Sequence, residues 1–453
     1  MESQLGEGDK SSFSWLSGLF KPVSLYQLVA FRFAFGLVMS LWAIYMMLSG
    51  SVDTLFVQPD FFFSYPKLNW LQPLPTAGMY LCFVLLLITA IMIGAGWYYR
   101  FGSLLFTFLF AYITLLDKAN YISYYYFVLL LAFMLSISPA NRLFSIDHLR
   151  KPSLRVDYVP RWSILALQIQ VALVFIFAGM AKLNTDWLFE GRPVNIWLSE
   201  LSVKQGLNFS DFILEGYFPI ALSWFLILFD FIIPHFLLDR KTGFGAFIVV
   251  MLIQLFALVI FPAGFFPLLT IASCVIFIPD EKIHSLISRV SYFLYDVFGF
   301  AGEVFNQGGS IMLQYRKKRL FPALLLLFFG LQILLPVALF LNWGSNRWAD
   351  SAFRFSWDIR MHEKAAIINF WLTDPSTGIE KPIDLDEYLS EHQQRRMAED
   401  PAMIQQFVNH LMTKLQDSSV SSPTINAKAV ISLNGREAQP LLIDSWKYKQ
   451  VSK

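Results

Sequence analysis

From residue 24 onward the chain alternates long apolar runs with short polar connections. A spanning helix needs about 20 mostly apolar residues. Runs of that kind fall at 24–48, 75–97, 101–117, 121–138, 162–181, 217–238, 243–260, 264–279 and 320–342. Only Phe261-Pro262-Ala263-Gly264 separates the 243–260 run from the short one after it, and this reads as a tight reversal. The pattern predicts a polytopic α-helical membrane protein with about nine transmembrane helices. Residues 1–22 are polar and then aromatic (FSWLSGLFKPVS), which suits an interfacial segment rather than a cleavable signal peptide. Within the connection 280–319, IHSLISRVSYFLYDVF places apolar residues at helical spacing among scattered charges, as an in-plane interfacial helix would.

Polar residues take over from Asn342. AAIINFWLTDPSTGIEKPI reads as a hairpin about Pro375–Gly378, and AKAVISLNGREAQPLLI as another about Asn434-Gly435. Between them 384–415 reads as helix broken near Asp400-Pro401. The expected organisation is therefore an interfacial segment at 1–22, a transmembrane domain at 23–341, and an α+β, β-rich extramembrane domain at 342–453.

Composition supports this reading. The chain has 453 residues, 56% of them apolar and only 15% charged, against ~25% charged in soluble domains. A net charge of +2 offers no basic face for nucleic acid, and six scattered histidines without ligand spacing argue against a metal site. Cationic residues fix the expected orientation. Arg100, the Arg142–Arg161 group, Arg240-Lys241 and Arg316-Lys317-Lys318-Arg319 all fall in alternate connections. By the positive-inside rule the N-terminus is cytoplasmic and the C-terminal domain lies on the other side.

Polar groups inside a membrane are costly and are usually paired or functional. Arg32 lies early in the first span, where snorkelling and a structural ion pair are equally good accounts. Asp117 and Lys118 end the third span, where a solvated turn explains them as well as a site does; Gln168 and Gln170 suit interhelical hydrogen bonds. Asp230, deep in the 217–238 run, calls for a buried partner or a site. Tyr121, Tyr124 and Tyr125 open the fourth span and fit an aromatic belt, and a histidine such as His362, near Trp357 and Asp358, is more often structural than catalytic. Lys182 closes the fifth span, with Asp186 and Trp187 just behind. It is either a headgroup anchor at the outer boundary or a base, because a partly desolvated lysine can present a neutral amine near neutral pH. Spacing does not decide between the two.

Several of these stretches together resemble the vitamin K-dependent γ-glutamyl carboxylases and the bacterial proteins that share their horizontally transferred transmembrane (HTTM) domain. The resemblance rests on LVAFRFAFGLVM, on LLDKANY at 115–121, on VPRWSILALQIQVALVFIFAGMAKLNTDW at 159–187, on Asp230, and on SWDIRMH at 356–362. It implies that Lys182 deprotonates vitamin K hydroquinone. Reaction with O2 then gives an alkoxide that takes a γ-proton from a glutamate, and CO2 adds to the carbanion, leaving γ-carboxyglutamate and the vitamin K epoxide. It implies a glutamate-containing protein or peptide as partner and a quinone pocket for which Tyr121, Tyr124, Tyr125 and Trp187 are candidates. Arg32, Asp117, Lys118, Gln170, Asp186, Asp230, Trp357, Asp358 and His362 become supporting residues. There are departures: Tyr124 stands where the animal enzymes have a histidine, and no histidine occurs in VVMLIQLFALVIF. Alternatives are a quinone-dependent enzyme that has lost carboxylation and a non-enzymatic binding or transport protein. The two apolar-run cysteines, Cys82 and Cys274, suggest no disulfide, and with the short C-terminal domain they favour a bacterial inner membrane over the endoplasmic reticulum.

Overall fold

The computed structural model describes residues 18–206, 208–214, 216–260, 264–298, 320–341, 363–373, 380–415 and 424–447. The helices are α1 (Tyr26–Leu48), α2 (Thr76–Ala95), α3 (Tyr99–Leu116), α4 (Ser123–Ile137) and α5 (Trp162–Ala181), followed by α6 (Val194–Gln205) and α7 (Tyr217–Leu238). Beyond them come α8 (Gly243–Ile260), α9 (Phe266–Cys274), α10 (Asp280–Phe298) and α11 (Leu320–Leu341). Six helical stretches, those of α1, α2, α3, α5, α7 and α11, are long and apolar enough to cross a membrane; α4, α8 and α9 are apolar but shorter. The chain is a multi-pass membrane protein; each of the nine apolar runs forms a helix, and among the described residues six helical stretches reach the length of a full span.

Glycine sets a close contact between α1 and α2. A Cβ on Gly36 of α1 would lie 2.5 Å from Gly94 Cα on α2 and 2.8 Å from Ala90 O. Only backbone-to-backbone approach of this kind lets α1 and α2 pack as they do. Ahead of α1, β1 (Pro22–Ser24) pairs antiparallel with β2 (Tyr158–Pro160), fastening the entry of α1 to that of α5. The sequence pattern gave no hint of this clamp. Most of the expected interfacial segment at 1–22 lies outside the described residues. The amphipathic helix α10 forms where the apolar spacing predicted one.

Arg32 does not snorkel, and it forms no ion pair among the described residues. It is 2% exposed and donates to Ala140 O (2.8 Å) and Phe144 O (2.5 Å). The buried carbonyls of the turn after α4 thereby gain a partner they could not find in lipid. The two glutamines of α5 also divide. Gln168 reaches Ile276 O at 3.3 Å, but Gln170 is fully buried and neither amide atom is bonded among the described residues, contrary to the expected interhelical bond. Successive helical positions are 100° apart, so the two side chains face nearly opposite sides, and only one side offers a carbonyl.

The C-terminal domain has a four-stranded antiparallel sheet in the order β4-β3-β5-β6, formed by β3 (Lys364–Thr373), β4 (Glu380–Pro382), β5 (Thr424–Leu433) and β6 (Gln439–Lys447). Alternation of buried and exposed residues along β5 marks one covered face. Helices α12 (Glu391–Ala398) and α13 (Pro401–Leu415) supply that cover and break where Asp400-Pro401 predicted. Asn434 and Gly435 both take positive φ (51° and 69°), as a tight hairpin turn between β5 and β6 requires. The Pro375–Gly378 turn lies outside the described residues.

This domain is not a free appendage. Phe63 and Ala119 of the membrane part enter its core beside Phe370 and Phe407. Asp117, fully buried, accepts from Phe63 N (3.2 Å), Ala119 N (2.8 Å) and Gln393 Nε2 (2.9 Å). Lys118 is 4% exposed and sits 5.9 Å from the Tyr65 ring. Of the two accounts the sequence left open for Asp117-Lys118, a solvated turn or a site, the first does not hold, because the C-terminal domain covers both residues.

Candidate active site

Lys182 is the residue after the last turn of α5, and counting places it at a boundary. The packing does not. Gly179 of α5 lies against the Phe231 ring of α7, a Cβ there coming within 3.1 Å of it. This contact brings the end of α5 to the middle of α7. Lys182 is 7% exposed and donates to the Asp230 carboxylate and to Ala178 O (3.3 Å). Asp230, 8% exposed, is past the midpoint of α7, on the order of 20 Å along that helix at 1.5 Å per residue. Lys182 is therefore inside the bundle and not a headgroup anchor.

A helical turn at Asp186–Glu190 follows α5 and is held to α7, with Trp224 Nε1 donating to Leu188 O at 3.0 Å. This turn folds Trp187 back under the amine, and Lys182 Nζ sits 5.4 Å from its ring centroid. Trp187 has no exposed surface and meets Trp197 edge-on at 5.8 Å. An ammonium held against a carboxylate and over an indole face is favoured by both. Its desolvation would otherwise be prohibitive.

Lys182 and Asp230 line a cavity of about 200 Å3 between α4, α5, α7, α8 and α9. Its walls include Phe127, Phe175, Phe229 and Phe266, with Gln254, Thr270 and Ser273 as further polar groups. The Thr270 and Ser273 hydroxyls donate to their own helix, to Phe266 O (2.9 Å) and Leu269 O (2.6 Å). Their lone pairs remain as acceptors, so the cavity holds one amine, one carboxylate and a few weak polar sites in an apolar shell.

The aromatic residues expected around a quinone lie apart from the lining of this cavity. Neither Tyr121, Tyr124, Tyr125 nor Trp187 is among the side chains that line this cavity. Tyr125 packs between Trp42 (5.7 Å) and Phe110 (5.4 Å) in the helical core. Tyr121 presents its carbonyl to Arg396 Nη2 at 3.4 Å, in the contact with the C-terminal domain. Tyr124 is one ring removed, stacked obliquely on Phe266 at 6.2 Å. The helical period explains this, since Phe127 is the α4 residue that reaches the cavity. Phenylalanines at ordinary helical spacing carried no signal that could have singled them out.

Asp186 faces the C-terminal domain. It accepts from Asn434 Nδ2 (2.7 Å) and from Arg436, both in the hairpin that joins β5 to β6. Asn434 also takes part in a bond pair with Glu363, donating to Glu363 O (2.7 Å) and accepting from Glu363 N (2.8 Å). The segment that carries Lys182 is thus tied to the domain four residues further on. Trp357, Asp358 and His362 lie outside the described residues.

Residues 20–281, more than half of the chain, match the HTTM domain, and residues 317–447 match the lumenal domain of vitamin K-dependent gamma-carboxylase. The chain belongs to the vitamin K-dependent γ-glutamyl carboxylase family. No solved structure matches it. Membership gives the buried amine a context that its geometry alone lacks. Lys182, Trp187 and Asp186 all come from the KLNTDW stretch of the matched HTTM region, and Asn434 and Arg436 come from the matched lumenal domain. Both parts of the family architecture meet within this one segment.

Proposed function

We propose that this protein is an integral-membrane γ-glutamyl carboxylase-like enzyme that uses vitamin K hydroquinone, O2 and CO2, with Lys182 as its base. The observation that carries the proposal is the buried Lys182 and Asp230 pair in an apolar cavity of a chain from this family. The residues present fit the ring of a naphthoquinol. Phenylalanine walls suit a flat aromatic head, and a volume of about 200 Å3, below the ~300–1,000 Å3 of whole-ligand sites, suits the head alone while an isoprenoid tail stays in lipid. When bound, the quinol supplies the oxidisable partner of O2 and, through that oxidation, the basicity needed to take a γ-proton from glutamate before CO2 adds.

The chain's own part is to hold and move a proton at Lys182 Nζ. An ammonium cannot accept a proton, so the amine must first give one up. Asp230, bonded to Nζ, is placed to take it or to share it. Trp187 and Ala178 O fix the direction of Nζ, and the phenylalanine shell keeps water from competing with glutamate for a strong base. The glutamate-bearing peptide arrives on the side of the C-terminal domain. That side is periplasmic in a bacterial inner membrane, or lumenal in the endoplasmic reticulum, with the N-terminus cytoplasmic in either case.

Tyr124 favours a second reading, in which quinol oxygenation persists and carboxylation is lost, because it replaces the family's histidine and stands one ring from the cavity. One assay separates the readings. Full-length protein in lipid is given reduced vitamin K, O2, labelled CO2 and a glutamate-containing peptide. Epoxide together with labelled peptide is the expected result. Epoxide without label supports the second reading, and the absence of both products overturns the two.

A further inference from the structure

A second cavity opens at the end of the bundle opposite the C-terminal domain. The first turns of α1, the end of α2, residues 143–149 and helix α10 enclose about 1060 Å3, at the upper limit of small-molecule sites (~300–1,000 Å3). Its walls are mostly apolar, with Val29, Phe33, Phe247, Val275 and Leu286 among them. The charged side chains on its lining are all cationic, Arg32, Arg155, Lys282 and Arg289, and His148 and Tyr26 are its other titratable groups.

One nearby carboxylate, Asp157, pairs with the lining residue Arg155 at 3.6 Å, and the others are engaged away from the cavity. Asp147 accepts from Tyr98 N (2.7 Å) and Tyr99 N (3.0 Å) at the start of α3. Asp280 and Glu281 both engage Arg240. Three buried nitrogens on lining residues lack a hydrogen-bond partner among the described residues: Nε of Arg32, Nδ1 of His148 and Nε of Arg155. A donor or acceptor left unbonded at such depth is costly and points to a missing polar ligand.

The surroundings specify what kind of ligand this is. Phe33 on α1 and Leu286 on α10 are 60% and 62% exposed, so the apolar wall runs on into faces that a bilayer covers. Helix α10 is amphipathic and lies beside this wall, and Lys282 sits 5.5 Å from the Phe244 ring. An anion with a long apolar part satisfies both halves of the cavity, whereas a soluble phosphate satisfies only one.

We propose that this cavity binds an anionic phospholipid, with its headgroup phosphate among Arg155, Lys282 and Arg289 and an acyl chain along the apolar wall. This site is separate from the one at Lys182 and does not depend on the reaction proposed there. The test is native mass spectrometry of full-length protein released from bilayers of equal phosphatidylglycerol and phosphatidylcholine. One phosphatidylglycerol should remain bound, with phosphatidylcholine retained about tenfold less or weaker still, the scale on which lipid-facing cations act.

The Lys282→Gln/Arg289→Gln double variant, altered only at exposed positions, should lose that preference while keeping its unfolding midpoint. Arg240→Gln removes a cation that does not line the cavity and should leave the preference intact. Glycerol phosphate in solution should not displace the lipid. Equal retention of the two lipids, an unchanged double variant, an equal loss in Arg240→Gln, or displacement by glycerol phosphate would each overturn the proposal. The wild-type preference decides the matter even if the double variant fails to fold.

Discussion

Lys182 and Gln170 lie on the same helix and show how differently polar residues inside a membrane are treated. Lys182 has a carboxylate, a carbonyl and an indole face around its amine. Gln170 has nothing bonded to its amide among the described residues. The sequence marked both as unusual, but it could not pair Lys182 with Asp230, because the two are 48 residues apart and meet only through the α5–α7 packing. Two consequences follow at this scale. Replacing Asp230 by Asn removes the group placed to take the Nζ proton, and should lower the rate of epoxide formation by about 10²–10⁴-fold, the usual reach of general acid–base catalysis; stopped assays in lipid measure this. Gln170→Leu replaces an unsatisfied buried amide by an apolar group of similar size. Its unfolding midpoint should match or exceed that of the wild type, since removing an unpaired polar group is neutral or stabilising.

At the scale of elements, periodicity marked the helices well, and turn chemistry located the hairpin at Asn434-Gly435 and the break at Asp400-Pro401. Neither could reveal that this same hairpin reaches Asp186, because the contact spans 248 residues and is made by a turn that looks sufficient in itself. Arg436→Ala should therefore lower activity more than stability, by loosening the segment that positions Lys182. The check is a fall in turnover with little change in the unfolding midpoint. The α1–α2 contact is less forgiving. A methyl on Gly36 would meet backbone atoms of α2 that cannot rotate away. Gly36→Ala should cost about 1–3 kcal/mol, as overpacking commonly does, and detergent-resistant thermal melts would record it.

For the whole molecule, composition and the order of apolar runs were enough to read a membrane bundle followed by an α+β domain. They gave no account of how the two are joined. Phe63, Ala119 and Asp117 read as loop residues, yet they insert into or anchor the C-terminal domain. His392 belongs to that junction, with Nε2 3.0 Å from Ala119 O. Burial holds its imidazole below the ordinary histidine value, more than the Ala119 carbonyl raises it. The unfolded state therefore binds a proton near pH 6.5 that the folded state still refuses. Domain docking should be fully stable above that pH and weaken as pH falls from about 6.5 towards the lower folded value. His392→Gln should flatten this dependence in pH-resolved melts of the full chain.

The central claim is that the buried Lys182 amine performs the chemistry rather than anchoring a helix. It is tested most directly by epoxide formation from vitamin K hydroquinone in lipid-reconstituted wild-type and Lys182→Ala proteins of matched thermal stability. The account predicts product from the wild type and a fall of at least about 10²-fold in the variant. A Lys182→Ala protein that forms epoxide at the wild-type rate would contradict it.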